Sequence, residues 1–229
     1  MSTDSESTVH FPARLGAPLQ DGRYTILRKL GEGVTATTWL IRDERISDSK
    51  YAAAKTLTAE ATLDVDQGII RELEFLKEVA KNAEERDDEG FEHLPTLLDN
   101  FIATSPGGTQ HLCLVQTLFS TSVSALRRSA PTKSLPAYMV RNILYMVLQA
   151  LDTLHSLDII HTGDLLRIPD LVPVKLEDAM ANYNIPGLTK DEIELAANFI
   201  RDCLKFDYKE RASAKELIKH PFLKNVFGS

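Results

Sequence analysis

The sequence is poor in cysteine, with Cys113 and Cys203 the only two among 229 residues, each inside an apolar segment. That allows at most one disulfide; buried free thiols in a reducing compartment are the expectation. No run of about 18 apolar residues occurs, which excludes a simple membrane-spanning helix. The first ten residues, MSTDSESTVH, hold no apolar stretch of the kind a signal peptide needs. An intracellular protein of cytoplasm, nucleus or both is therefore expected. Positive charge is not in excess: the net charge is −7 with the signs interspersed. Nothing in this balance calls for nucleic acid or an acidic membrane surface as a partner. Internal repeats are lacking too. What is present is an ordinary apolar fraction of 43% over 229 residues, enough for one sizeable domain or two small lobes around a shared cleft.

Residues 1–20 are rich in Ser, Thr and Pro without periodicity and are expected to form a flexible arm. From Arg23 the pattern changes. Tyr24, Ile26 and Leu30 read as a strand, a glycine-containing turn follows, and Thr37–Ile41 and Tyr51–Leu57 read as two more strands. Ile69, Ile70, Leu73, Leu76, Val79 and Ala80 recur at helical spacing and predict one amphipathic helix over 65–85. The acidic run Glu84–Glu89 reads as a solvated loop ending it. Apolar runs at Leu97–Ala103 and Leu112–Leu118 flank a Ser-Pro-Gly-Gly turn. The second half is helical. Pro136 suits a first helical position, and an apolar stripe runs from Val140 through Leu154. Thr189 with Glu192, and Ser213 with Glu216, are capping-box pairs that start two further helices. Residues 161–188 keep no periodicity and read as irregular.

Five separated motifs then occur in a recognisable order. They are Leu30-Gly31-Glu32-Gly33-Val34-Thr35-Ala36 with Trp39 beyond; Ala52-Ala53-Ala54-Lys55; Arg71-Glu72-Leu73-Glu74-Phe75-Leu76; Leu148–His155 running into Ile159-Ile160-His161-Thr162; and Cys203–Ser213 with His220-Pro221-Phe222. Together with the strand His111–Val115, this order resembles the eukaryotic protein-kinase superfamily. Trp39 and His161-Thr162 point within it to the serine/arginine-protein-kinase branch. The resemblance implies an α+β, bilobal fold: a small lobe (21–119) of antiparallel sheet plus one helix, and an abridged, mostly helical large lobe (120–229). It implies that ATP is the cofactor. Gly31 and Gly33 would let backbone amides approach its phosphates, Lys55 would bind the α- and β-phosphates and pair with Glu72, and Leu30 and Ala53 would wall the adenine. Without the resemblance, the same residues read as a structural turn, an exposed strand lysine, a solvated glutamate and ordinary core.

The sequence also departs from the family. Ala36 stands at the third glycine position, Thr38 at the following valine position, and Gln116 where a bulky apolar residue usually guards the back pocket. After His161-Thr162 the chain reads Gly163-Asp164-Leu165-Leu166-Arg167. The family would have Asp directly after Thr162, then a Lys, then an Asn, and later a second Asp for magnesium. None of these follows at its spacing, and only 50 positions separate His161 from Arg211. The catalytic core is thus deleted, Mg2+ is left without protein ligands, and no metal site is expected. Asp164 is a weak catalytic candidate, since a one-residue slip redirects its carboxylate. Arg211 would lose its usual glutamate partner and stand unpaired, and Glu177, Asp178 and Asp191 read as solvated charges. Three functional readings follow: a serine/threonine kinase by descent, acting on Ser/Arg-rich proteins with little or no phosphotransfer; a pseudokinase binding module; or a shortened product that has lost an internal segment. With the central helix of the large lobe missing, the stripe on 136–155 and the face Ile193, Ala196, Phe199 and Ile200 must pack on each other or stay partly exposed, and an exposed patch favours a protein partner, self-association or aggregation.

Overall fold

The computed structural model describes residues 10–46, 50–159, 176–182, 189–205 and 209–224. They fall into two compact units. One comprises the residues up to Arg86 together with Pro95–Ser120; the other comprises Asp87–Leu94 and the residues from Thr121 on.

The first unit is built on an antiparallel sheet of six strands: β1 (Pro18–Leu19), β2 (Tyr24–Glu32), β3 (Ala36–Asp43), β4 (Lys50–Leu57), β5 (Leu97–Thr104) and β6 (Gln110–Gln116), in the order β1-β2-β3-β4-β6-β5. Side chains alternate across a strand, and the sequence uses that period fully. Tyr24, Ile26, Trp39, Ile41, Ala52, Ala54, Cys113 and Val115 bury one face. Leu57, Leu112 and Leu114 bury the other against Ala61 and Leu76. Those last two come from helices α1 (Ala59–Asp66) and α2 (Glu72–Glu85). The helix expected over 65–85 is shorter, Glu72–Glu85, and α1 precedes it almost wholly outside the expected span. Thr58 caps α1 by accepting from the Ala61 amide, and Gly68, at φ +73°, takes the left-handed conformation that ends it. Arg23 ties the strand ends together: it reaches Asp43 at 3.1 Å and Asp99 at 2.6 Å and stacks over the Tyr24 ring. Burial and a hydrogen bond to Asp99 push the Tyr24 phenol up, so it stays neutral.

The flexible arm expected over 1–20 is corrected for its second half. Residues 10–19 lie on the sheet, with Leu19 buried and Phe11, Ala13 and Ala17 packed on the first core. The Gly16 amide donates to the Ile26 carbonyl, and the Ile26 amide to that of Ala17. Apolar residues spaced without periodicity conceal such a segment, because it is neither strand nor helix for most of its length.

The second unit contains α3 (Val123–Ser129), α4 (Ala137–Ser156), α5 (Leu176–Asn182), α6 (Lys190–Cys203), α7 (Ala214–Leu217) and two 3-10 turns, η1 (Glu89–His93) and η2 (Pro221–Leu223). The apolar stripe of α4 and the apolar face of α6 share one core, with Leu148, Ala196, Phe199, Ala214, Leu217, Phe222 and Leu223 buried in it. Both capping boxes form. Glu192 serves twice, accepting from the Thr189 amide and pairing with Arg141 of α4, whose guanidinium also lies 5.1 Å from the Phe222 ring centre.

Three expectations fail here for local reasons. Part of the irregular stretch 161–188 is helical, because Met180 of α5 reaches the core and Glu177 pairs with Arg201 instead of being merely solvated. The acidic loop is not simply solvated: Asp88 accepts from Thr153 Oγ1 at 3.0 Å with both carboxylate oxygens and caps η1. Arg211 has a partner, since its Nε donates to the Lys205 carbonyl at 3.0 Å. Both cysteines are free thiols, Cys113 buried and Cys203 half-buried. Among the described residues, no helix is long and apolar enough to cross a membrane.

Two predictions follow from this packing. A Cβ on Gly90 would lie 2.0 Å from Thr153 Oγ1 and 2.6 Å from the Gln149 carbonyl oxygen. Gly90→Ala should thus destabilise the second unit by about 3 kcal/mol through overpacking, read as a lowered urea midpoint. The second prediction concerns pH. Hydrogen bonds from Thr189 and Arg141 hold the Glu192 carboxyl down at about 2. A depressed folded-state value stabilises above the ordinary glutamate range and loses that contribution as pH falls from about 4.5 towards 2. Glu192→Gln should cost about 1–2 kcal/mol at pH 7 and flatten the acid limb of the stability profile between those values.

Candidate functional site

Strand β4 carries the centre of the candidate site. Ala53 and Lys55 project from it on the face opposite the first core, and both are half-buried. The register sets two rows across the sheet. Gly31, Thr38, Lys55 and Leu114 form one; Arg28, Leu40, Ala53 and Gln116 form the next. Gly31 is therefore two strands from Lys55, about 10 Å along the hydrogen-bonding direction.

Glu72 begins α2, where a negative charge is favoured by the unpaired amides of the first turn. It meets Lys55 with both oxygens, each 2.7 Å from Nζ. The side chains are 31% and 33% exposed, so the pair sits at the edge of the core and stays open on one side.

The glycine-rich turn joins β2 to β3. Gly31 lies at the end of β2, Gly33 begins the turn, and the Gly33 amide donates to the Ala36 carbonyl at 2.9 Å. A Cβ built on Gly31 meets nothing within 4 Å, and one on Gly33 meets only the Ala36 oxygen at 3.9 Å. No packing against this unit requires either glycine; both leave open space above the backbone. Val34 at the tip is 91% exposed. Leu30, at the register irregularity just before Gly31, is 40% exposed.

The structure thus brings Gly31, Ala53, Lys55 and Glu72 onto one face of the first unit, with Leu30 and Gly33 on either side of Gly31 in the chain. Asp164 lies outside the described residues, as do His161 and Thr162. Two residues that hold the turn escaped the sequence reading. The Thr58 amide donates to the Thr35 carbonyl at 2.9 Å, and buried Thr37 hydrogen-bonds Glu32 at 3.4 Å. Thr58 carried a readable signal, a hydroxyl directly before a helix; Thr37 carried none. Chemically, the face presents a fixed ammonium beside uncrowded backbone, which suits an anionic ligand with a flat apolar portion against Ala53 and Leu30. Cys113 takes no part in this face: it lies in the first core on the other side of the sheet, where burial pushes its thiol up to about 11. Among the described residues no three His, Cys, Asp or Glu gather as metal ligands.

No family model matches the chain. Curated relatives do. Protein kinase dsk1 of Schizosaccharomyces pombe is 31% identical over 180 residues, covering 79% of this chain and 32% of its own length. Serine/threonine-protein kinase SKY1 of Saccharomyces cerevisiae is 31% identical over 148 residues, 64% of this chain and 19% of its own. SRSF protein kinase 3 of Mus musculus is 29% identical over 147 residues, 64% of this chain and 25% of its own. The chain therefore spans a third or less of the length of these relatives. Among solved structures, a crystal structure of a kinase domain aligns with a TM-score of 0.52 at 20% identity, covering 65% of this chain and 39% of that one. The fold is of the α+β kinase type, and the chain is a homologue of the serine/arginine-protein kinases.

Proposed function

We propose that the first unit is a nucleotide-binding module of kinase type, with ATP as its ligand, in a serine/threonine-kinase relative that transfers phosphate weakly or not at all. The observation that carries this is the Lys55–Glu72 pair, closed at 2.7 Å through both oxygens beside a glycine turn with free space above it.

The residues present fit the phosphate end of ATP. The open backbone at Gly31 and Gly33 lets amides come within hydrogen-bonding distance of phosphate oxygens, and Ala36 at the third position adds only a methyl group. Lys55 supplies a cation whose direction Glu72 fixes, so little rotamer entropy is lost on binding. Ala53 and Leu30 supply apolar surface for a purine. Gln116, in the row of Ala53, puts an amide where relatives of this fold have apolar bulk, and it would bias binding towards a base edge that can hydrogen-bond.

ATP supplies a transferable phosphoryl group when bound. This chain's contribution to moving it is limited. Phosphoryl transfer depends on positioned carboxylates and magnesium. Between His161 and Arg211 the sequence lacks the Asp-x-Lys-x-x-Asn spacing. This supports weak or absent transfer to Ser/Arg-rich proteins, the substrates suggested by the relatives' family. It equally supports a pseudokinase that works through nucleotide-dependent protein contacts, or a product shortened inside the catalytic segment.

Thermal melting of the full chain with and without Mg-ATP tests the reading. At a hundredfold excess over its Kd, ATP should add about 2.7 kcal/mol to stability, a shift of several degrees. Lys55→Met should weaken binding by about 10- to 100-fold, through loss of one charge-assisted contact, while lowering the ligand-free melt only slightly. Equal shifts in both proteins, or none in either, would overturn the nucleotide site. A second assay follows labelled phosphate into a Ser/Arg peptide. Incorporation is expected at background level, and turnover that Lys55→Met abolishes would overturn the claim of impaired transfer.

A further inference from the structure

Residues 10–19 cross the sheet on the face opposite Lys55, and they are held at several points. The later part pairs with the sheet edge through Gly16, Ala17 and the register Pro18 to Thr25. Near the start, the Phe11 ring meets the buried His111 ring edge-on, 5.5 Å between centres. At the start, His10 Nδ1 lies 3.0 Å from Thr37 Oγ1. That last contact continues towards the glycine turn. Thr37 Oγ1 donates to Glu32 Oε2 at 3.4 Å, and Glu32 also accepts from Lys29 Nζ. With its own proton directed at Glu32, the Thr37 oxygen accepts, so His10 is the donor and carries its proton on Nδ1. The result is one chain of donors: His10 to Thr37 to Glu32, with Lys29 closing on the same carboxylate. Glu32 lies between Gly31 and Gly33, and the cation of Lys29 holds its carboxyl below the ordinary range, with a smaller contribution from His10.

We infer that residues 10–19 are a strap whose first residue, His10, positions the glycine-rich turn through Thr37 and Glu32. The turn needs such a fixture. Its tip is exposed and Glu32 is half exposed, whereas Thr37 is 2% exposed and immobile in the core. A side chain anchored on buried Thr37 transmits that rigidity to the backbone between the two glycines. The opposite side of the turn is fixed by the Thr58 amide on the Thr35 carbonyl. With both sides held, the amides at Gly31–Ala36 keep one arrangement and less entropy is lost when a ligand closes on them. His10 touches neither Lys55 nor Glu72; it is a positioning residue. Its effect on affinity rests on the nucleotide reading above, but its effect on the turn does not.

Two measurements on the full chain separate these. Hydrogen exchange of the ligand-free protein, comparing wild type with His10→Ala and His10→Asn, reads the turn directly. His10→Ala should speed exchange at residues 33–37 by about 2- to 10-fold, the loss of one hydrogen bond, and leave the amides of Leu112–Val115 unchanged. His10→Asn, whose amide can donate to Thr37, should restore most of the protection. Titration with Mg-ATP, followed by melting, should then show about 2- to 10-fold weaker binding for the alanine variant and near wild-type binding for asparagine. Unchanged exchange at 33–37, or an equal rise across the whole unit, overturns the strap. Faster exchange at the turn with unaltered ATP affinity overturns its role in binding. Faster exchange at the turn in a protein whose wild type binds no ATP upholds the strap and sinks the nucleotide reading.

Discussion

Strand β4 must be buried on both faces and yet leave two residues accessible, and the organisation of the first unit depends on that constraint. Ala52, Ala54 and Thr56 point into the first core, where the small side chains let Trp39, Ile41 and Val115 pack across them. Leu57 closes the second core against Leu114 and Ala61. Only Ala53 and Lys55 are left half-covered on that second face. The run Ala52-Ala53-Ala54 has poor strand propensity, and the sheet supplies what propensity does not: β3 on one side and β6 on the other hold it by ladder hydrogen bonds. Bulk at Ala53 would cover the half-open face beside Lys55. Small residues here exchange intrinsic strand stability for access.

The second unit solves a different problem with similar economy. An apolar helix as long as α4 needs partners along much of its length. It takes α7 and η2 at one region and η1 at another, where Gly90 and Asp88 meet Thr153. Arg141 then joins three elements through one side chain, pairing with Glu192 and lying over Phe222. Its side chain is only 16% exposed, and a charge so placed is tolerable because a carboxylate and an aromatic face receive it. Val147 and Leu204 remain exposed, at 48% and 73%.

Much of this was legible in the residues. Period-two apolar patterning placed β2 through β6 to within a few positions, and both capping boxes announced α6 and α7 from four residues in all. The Lys55–Glu72 pair was inferable from motif order and is closed in the structure. What stayed hidden had physical causes. Helix periodicity does not register a glycine in the left-handed conformation, so the expected helix began too early for α2, and α1, short and weakly patterned, went unseen but for its last two residues. Residues 10–17 pack through Phe11, Ala13 and Ala17 at irregular spacing, which no single period detects. The tie of Asp88 to Thr153 joins residues 65 apart, and η1 passes to the second unit although α2 before it and β5 after it belong to the first. Long-range polar contacts of this kind leave no local trace.

The energetics of the Lys55–Glu72 pair bear on what it is for. An ion pair a third exposed on each side contributes at most about 1 kcal/mol to folding, because solvent screens it and two side chains lose rotamer freedom to form it. The sheet and both cores stand without it; Arg23, reaching two aspartates at the strand ends, is the more structural cation. A pair of small value to the fold still has a large effect on direction. Accepting from Nζ with both oxygens, Glu72 confines the ammonium to a narrow arc and leaves part of its surface towards solvent. A free lysine on the same strand would sweep many rotamers and spend most of its time elsewhere. Preorganisation of a charge, not stabilisation of a fold, is therefore the physical role that this geometry can fill. It is also the role that an anionic ligand beside an uncrowded glycine turn would use.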